Sequence, residues 1–522
     1  MNINEEMQTA LEYQSKGDVE KAVNAYIEVL KVQPDNVNAL FMLGVIFAQG
    51  GFHDYAIDCF QEAVRIKPDH IGAYYNLGNV YRDKGQIDGA MKCYQKVIQI
   101  NPDYADAYIN LGILFRQKER FDEEIAAYQK AIRIDSNAAG AYYNLGHSYF
   151  EKGQFDEALS CYQKVTQLVP NNIDAYMNLG LLFRIKGLPH EALTCYQRAV
   201  ELSPNNAEAH WNMSNVLLLT GDFKDGWKEY EWLWRTKDNI NRSNKFSQPL
   251  WDGSDVAGRT ILLYAEYGFG DTIQFIRYVP FVKDHGGKVI VECQKELASL
   301  LKNVEGVDGV VAQGEHLPLF DLHFPLMRLP VILNTTLDNI PAKIPYLAAD
   351  SALAKVCSAK IKNDDSNLRI GLVWSGGGLP LKKSCSLEMF APLACLKGVT
   401  FYSLQKGKAG KQAKNPPAGM KLIDYTDEIG DFSDTAALIE NLDLVIAVDT
   451  SVAHLAGALG KPVWTLLPFV PDWRWFLDRE DSPWYPTMRL FRQPSLGDWE
   501  SVIQRITRQL HEMVKDGETS RK

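Results

Sequence analysis

Gly17, Gly51, Gly85, Gly153, Gly187 and Gly221 stand at a step of 34 residues, doubled once where Glu119 interrupts the series. A period that holds over seven copies restricts the first half of the chain to a linear stack of like units. One unit runs 37–70, and others run 71–104, 105–138, 139–172 and 173–206, with a first copy at 3–36 and a last at 207–240. Apolar residues recur three or four apart, as Tyr74, Leu77 and Gly78, then Ala90, Tyr94 and Val97, on either side of a Lys84-Gly85 turn. That spacing predicts two amphipathic helices per unit. Gly78, Gly112, Gly146 and Gly180 fall inside the first helix. Glycine costs about 1 kcal/mol there relative to alanine, so a close helix–helix approach is expected at each. Pro34, Pro68, Pro102, Pro170 and Pro204 mark the joints. Ser136 breaks the proline series as Glu119 breaks the glycine one, which makes the fourth unit the least regular.

Period and pattern resemble the tetratricopeptide repeat, which implies an α-solenoid with a long concave surface for extended partners. Asn76, Asn110, Asn144, Asn178 and Asn212 recur at one repeat position. Asparagine is a poor helix former, by roughly 0.6 kcal/mol per site, so the amides are expected to have a use. Two uses stay open. The ladder resembles the superhelix of O-linked N-acetylglucosamine transferases, where such asparagines line the inner wall and hold a peptide backbone; this implies acceptor binding. Alternatively the amides only bridge neighbouring repeats.

The length of 522 residues leaves room for three domains, and a hydrophobic fraction of 46% supplies ample core. A net charge of −10 speaks against a basic nucleic-acid surface. The N-terminus lacks the basic start and apolar core of a signal peptide. No apolar run approaches the roughly 20 residues that cross a bilayer. The expectation is a soluble, cytoplasmic protein without a membrane span. Cys59, Cys93, Cys161 and Cys195 share one repeat slot and read as small core residues. Cys293, Cys357, Cys385 and Cys395 form no Cys-x-x-Cys pair, so no metal site is expected.

The last unit degenerates into Gly226-Trp227-Lys228-Glu229-Tyr230-Glu231-Trp232-Leu233-Trp234-Arg235, whose aromatics suit a cap. Thr236 to Gln248 reads as a linker. Then strands alternate with helices. Strands are predicted at Thr260–Ala265, Lys288–Glu292, Arg369–Trp374, Thr400–Leu404, Leu444–Val448 and Val463–Leu467, and a helix at Thr272–Lys283. Such alternation implies parallel sheets of Rossmann type. The expected division is 1–240 for the array and cap, 241–365 for a first α/β half and 366–522 for a second, joined at Asn363 to Asn367.

Three strand ends offer chemistry. In Tyr264-Ala265-Glu266-Tyr267-Gly268-Phe269-Gly270-Asp271-Thr272, Gly268 and Gly270 allow a tight turn and Asp271 opens a helix at the carboxyl edge of a parallel sheet. Asp271 is read there either as an N-cap or as a reacting carboxylate. In Asp443 to Ala456, the run Asp449-Thr450-Ser451-Val452-Ala453-His454 starts a helix. Its free N–H groups at 451–453 would attract phosphate. Asp449 would hold sugar hydroxyls, and His454 would touch a phosphate or pack in the sheet. The third place joins Trp374-Ser375-Gly376-Gly377-Gly378, Lys382-Lys383 and Ser403-Leu404-Gln405-Lys406. Glycines there give backbone access, and lysines would neutralise a diphosphate.

Together the three segments resemble glycosyltransferase family 9, heptosyltransferase-like enzymes of the GT-B fold, over roughly 255–510. The resemblance implies Asp271 as catalytic base. It implies donor binding by Lys383, Gln405, Lys406 and the Asp449-Thr450-Ser451-Val452-Ala453-His454 motif, with Gly268, Gly270 and Gly376 as loop glycines. Ser451 stands where the family has glycine, and Ser384-Cys385 replace a basic-aromatic pair. Pro471-Asp472-Trp473-Arg474-Trp475 resembles a branch already fused to tetratricopeptide arrays; Trp473 and Trp475 either stack on a base or fill a core.

The expected activity is an inverting, metal-independent glycosyltransferase. No resident cofactor is expected; the co-substrate is a nucleotide-diphosphate sugar, with ADP-heptose the closest analogy. The acceptor is a protein or peptide presented by the array. Two alternatives remain: transfer to a glycan or lipid-linked saccharide with the array as docking module, and a non-catalytic scaffold.

Overall fold

The computed structural model describes residues 2–239, 245–361, 368–377 and 383–519. Among them, fourteen helices from Ile3–Ser15 to Phe223–Tyr230 form the seven expected pairs. The turn glycines 17, 51, 85, 153, 187 and 221 all adopt φ between 71° and 89°. Glu119 takes φ 58° at the same place. The fourth unit is therefore irregular in sequence and regular in backbone. Its Cβ stands in the left-handed region, at a cost of roughly 1–2 kcal/mol.

The glycines inside the first helices answer to a packing demand. A Cβ on Gly78 would lie 2.7 Å from the Tyr94 ring, one on Gly112 2.4 Å from Tyr128, and one on Gly180 2.5 Å from Tyr196. At Gly146 the nearest neighbour would be Cys161 at 3.1 Å. The repeat cysteines pack in these cores as expected, and burial pushes the thiol of Cys93 up to about 12 and those of Cys59, Cys161 and Cys195 up to about 11.

Two compact units, Met1–Leu179 and Gly180–Lys522, divide inside the helix Ile173–Ile185, earlier than the expected boundary at 240. The reason is apolar burial in the second unit. Leu218, Phe223, Trp227, Tyr230 and Leu233, from the last repeat and its cap, share one core with the strands that follow.

That second unit holds ten strands among its described residues: β1 (Thr260–Tyr264), β2 (Lys288–Cys293), β3 (Gly309–Ala312), β4 (Leu322–Pro325), β5 (Leu368–Val373), β6 (Val399–Ser403), β7 (Leu422–Asp424), β8 (Leu444–Val448), β9 (Val463–Leu467) and β10 (Met488–Arg492). They form two parallel sheets, ordered β3-β2-β1-β4 and β10-β9-β8-β5-β6-β7. The single helix expected at Thr272–Lys283 begins earlier and breaks, as Phe269–Phe275 and Val279–Lys283 around a short 3-10 turn. The joint at Asn363 to Asn367, the division at 365/366 and part of the linker lie outside the described residues. No helix among the described residues is long and apolar enough to cross a membrane.

Replacing Glu119 by glycine should stabilise the first unit by about 1 kcal/mol, because the left-handed conformation then carries no Cβ. A rise in the denaturant midpoint at unchanged slope checks it.

Candidate active site between two strand ends

In each sheet the strand order reverses once, beside β1 in the smaller and between β5 and β8 in the larger. Parallel sheets bind ligands at such reversals, beyond the carboxyl ends. After β1 the chain turns at Gly268 into the helix Phe269–Phe275. Asp271 is the third residue of that helix, not its N-cap. Its Oδ2 accepts the Gly268 N–H at 3.0 Å, and its Oδ1 accepts from Arg474 Nη2 at 2.6 Å.

After β8, Asp449 and Thr450 lead into the helix Ser451–Ala458. Thr450 makes no side-chain cap bond, and its buried Oγ1 has no hydrogen-bond partner. The Ala453 N–H, expected to be free, bonds to the Thr450 carbonyl at 3.0 Å. The free donors are thus those of Ser451 and Val452, which have no acceptor within the helix. A third helix, Phe432–Glu440, also starts at this site, but Asp431 Oδ1 accepts its Ser433 N–H at 2.7 Å and closes it. Of these last two tips, the one at Ser451 is open to an anion, and the start of Phe269–Phe275, which also lacks a side-chain cap bond, carries the Asp271 carboxylate in its first turn.

The two strand ends meet. A Cβ added to Gly270 would lie 3.0 Å from the His454 ring and 3.6 Å from Ser451 Cα. One on Gly376 would lie 2.9 Å from Thr450 Cγ2 and 3.1 Å from the Asp449 carbonyl. Between these segments opens a cavity of about 790 Å³, lined by Gly268, Gly270, Asp271, Gly376, Lys383, Gln405, Lys406, Asp449, Thr450, Ser451, Val452 and His454. Of the donor-side and base candidates among the described residues, all but the buried Ala453 are on its wall. Gly378 and Lys382 lie outside the described residues.

The charged groups arrive already paired. Lys383 Nζ donates to Asp449 Oδ2 at 2.6 Å. Arg474 donates from Nη1 to Asp472 Oδ1 at 2.8 Å as well as to Asp271. Burial raises the Asp271 pKa above the ordinary aspartate value, and Arg474 works against the rise. Burial also opposes the Asp472 charge, yet Arg474 and Lys383 hold that carboxyl down at about 2. Burial weakens the Lys383 ammonium, but Asp449 and Asp472 outweigh it and its pKa rises.

Three expectations change in detail. Lys406 Nζ donates to the Ile429 carbonyl, so it ties down a loop. Gln405 Oε1 accepts the N–H groups of Trp374 at 3.1 Å and Ser375 at 2.7 Å, which braces the glycine loop. His454 is buried against the Trp475 and Tyr485 rings, with Nδ1 2.9 Å from the Tyr485 hydroxyl, and burial pushes its pKa down to about 3. Trp473 and Trp475 fill the core. Asp472 and Arg474 escaped the sequence reading as site residues. The signal was there, as two opposite charges spaced inside a tryptophan-rich run that otherwise reads as core.

The asparagine ladder divides. Asn110 Nδ2 donates to Tyr75 Oη at 3.1 Å, and its Oδ1 accepts from Arg82 Nη1 at 3.0 Å. Asn178 Nδ2 donates to Tyr143 Oη at 3.4 Å. These two bridge to the preceding repeat. Asn76 and Asn212 donate to their own helices, at Gly72 O (3.0 Å) and Glu208 O (2.9 Å). The Asn144 carbonyl accepts the Ser148 hydroxyl at 2.9 Å.

Comparison with known proteins identifies the two parts in turn. Residues 7–71 and 59–92 match the tetratricopeptide repeat, and 78–118, 112–153, 146–187 and 182–221 match the TPR repeat. Residues 430–468 match glycosyltransferase family 9 (heptosyltransferase). The chain therefore joins a tetratricopeptide array to a parallel α/β body, one stretch of which is similar to glycosyltransferase family 9. That segment holds β8, the open helix tip and β9, while Asp271, Lys383 and Arg474 lie outside it. Protein FlbA of Caulobacter vibrioides is 25% identical over 328 residues, which are 58% of this chain and 54% of FlbA. The chain thus spans about half the length of that curated relative. Among solved structures, MamA protein shares 28% identity over 33% of this chain and 94% of its own, with a TM-score of 0.30. YrrB, described as a TPR protein with an unusual peptide-binding site, shares 22% over 36% of this chain and 97% of its own, with a TM-score of 0.32.

A group with its pKa near 3 stays neutral at any pH above that value. The His454 imidazole should therefore show no titration in NMR between about pH 5 and 8, the range in which an ordinary histidine changes charge.

Proposed function

We propose that this chain is an inverting glycosyltransferase of GT-B arrangement that takes a nucleotide-diphosphate sugar as donor. The observation that carries the reading is the one cavity shared by a carboxylate at 271 and an uncapped helix tip at 451, with family 9 similarity on the tip side. An acceptor hydroxyl oxygen attacks the anomeric carbon while Asp271 takes its proton. The bond from that carbon to the diphosphate oxygen breaks, and its electron pair leaves with the diphosphate. The N–H groups of Ser451 and Val452, with Lys383 and Arg474, meet the charge gathering on the leaving group. The buried, unpartnered Thr450 hydroxyl supports a polar ligand in the same place. Lys406 contributes only if it exchanges the Ile429 carbonyl for ligand. The cavity volume falls within the roughly 300–1,000 Å³ of small-molecule sites.

The acceptor proposed is a protein or peptide that the array binds. Asn110 and Asn178 serve there as braces, which leaves Asn76, Asn144 and Asn212 the amides to test for peptide contact. Replacing those three by alanine should weaken acceptor binding without changing the unfolding transition. The full chain incubated with a panel of nucleotide sugars should hydrolyse or transfer at least one. Asp271→Asn should lower its kcat by about 10²–10⁴, the contribution of a positioned base. No turnover of any donor would leave a scaffold as the better reading.

A further inference from the structure

We propose that Arg474 is the positioning residue for the base: it fixes one oxygen of the Asp271 carboxylate while the Gly268 N–H fixes the other, and it answers to the proton that Asp271 receives. The inference rests on the reading of Asp271 as base and goes beyond it by assigning a residue from the opposite sheet to its control.

The geometry is specific. Asp271 stands on the helix that follows β1, and Arg474 on the loop that follows β9. Arg474 is 7% exposed, and its guanidinium engages three partners in a fork: Nε to Gln274 Oε1, Nη1 to Asp472 Oδ1 at 2.8 Å, and Nη2 to Asp271 Oδ1 at 2.6 Å. Two of those partners, Gln274 and Asp271, lie on the same short helix. A planar fork of fixed donors can hold both at once, which an ammonium cannot. The guanidinium face lies 4.5 Å from the Trp473 ring and 5.5 Å from Phe275. Trp473 is in turn packed edge-on by Trp227 at 5.2 Å and Trp484 at 5.9 Å. The fork cannot swing without disturbing this core.

Each Asp271 oxygen spends one lone pair on its holder and keeps another for the incoming proton. Before transfer, the single guanidinium is shared by two carboxylates, Asp271 and Asp472. When the acceptor O–H proton reaches Asp271, that carboxyl becomes neutral and the guanidinium is matched by Asp472 alone. The cluster thereby goes from one net negative charge to none, so it stops repelling the negative charge that the breaking bond delivers to the diphosphate. Positioning and timing come from the same side chain.

The other charged and titratable groups near Asp271 are Asp472, Asp449 and the Tyr230 hydroxyl, with Lys383 paired to Asp449 and Glu296, Lys406 and Asp431 on the same cavity wall. His454 contacts the site as a neutral ring. Burial lifts the Asp271 pKa, Arg474 pulls it down and Asp472 pushes it up. Activity needs the ionised carboxylate, so the rate falls as pH drops through that pKa.

The test is the acid limb of the pH–kcat profile for donor turnover by the full chain. Arg474→Gln should move the limb up by about 1–3 pH units, the usual effect of an adjacent arginine on an aspartate. Asp472→Asn should move it down, because a carboxylate competing for the same guanidinium is gone. Arg474→Lys should keep the limb near its original place and lower kcat, since charge is retained and the fork is lost. Circular dichroism and thermal unfolding establish that each variant is folded; if Arg474→Gln is not, the opposite shift of Asp472→Asn decides. A purely structural arginine would lower expression or kcat without moving the limb, and unmoved limbs in Arg474→Gln and Asp472→Asn overturn the inference alone. No turnover by the unsubstituted chain overturns the base reading and this role with it.

Discussion

The site depends on a contact that side chains would forbid. Gly270 lets the helix after β1 rest on the His454 ring and on the backbone of Ser451, and Gly376 does the same for the loop after β5 against Thr450 and Asp449. At both places an added Cβ would sit at or inside 3.0 Å of a neighbour, so the turns would have to part. Parallel topology brings strand ends to one edge of each sheet, but it does not set their spacing. The two glycines do, and the paired charges of the cavity follow from that closeness.

Pre-pairing has a physical logic. A buried ammonium or guanidinium loses its hydration and stays charged only beside carboxylates. Asp449 keeps Lys383 ionised, and Asp271 with Asp472 keeps Arg474 ionised. The consequence is that Lys383 and Arg474 do not face the cavity unopposed, and an anionic ligand must compete there with resident carboxylates, while Lys406 is held by the neutral Ile429 carbonyl. The helix tip at Ser451 is the exception, since its N–H donors carry partial positive charge with no counter-ion. The tip is therefore the first anchor for a diphosphate, and the lysine and arginine contribute as their partners rearrange or are protonated.

The repeat array was legible because its period outlasts single substitutions; Glu119 keeps the turn its sequence disowns. Strands β1, β2, β5, β6, β8 and β9 were legible as apolar runs buried on both faces. β3, β4 and β7 were not, being three or four residues long, with His323 inside β4, and β10 was not because Arg489 and Arg492 interrupt its apolar run. Asp449 and Thr450, directly after a readable strand, were found from that position, and Asp271, seven residues beyond β1, from the Gly268-Phe269-Gly270 turn before it. Lys406 was found too, but its bond to Ile429 depends on a distant loop that no local pattern reveals. Arg474 follows a readable strand by seven residues, and its neighbours Trp473 and Trp475 drew the reading toward a core.

The end of the array is part of the same argument. The last helix pair contributes Phe223, Trp227 and Tyr230 to the core beneath the Asp472-Trp473-Arg474 loop, and Trp227 also donates from its indole to the Thr335 carbonyl at 3.0 Å. Trp227 packs on Trp473, Trp473 backs Arg474, and Arg474 holds Asp271. In a closely packed interior, a rigid backing restricts the side chains that lie on it. The final repeat is thus a wall of the α/β body rather than a spacer before it. Any reading of the fusion as two independent modules would have to explain why the arginine that orients the carboxylate is buttressed by a residue of the repeat.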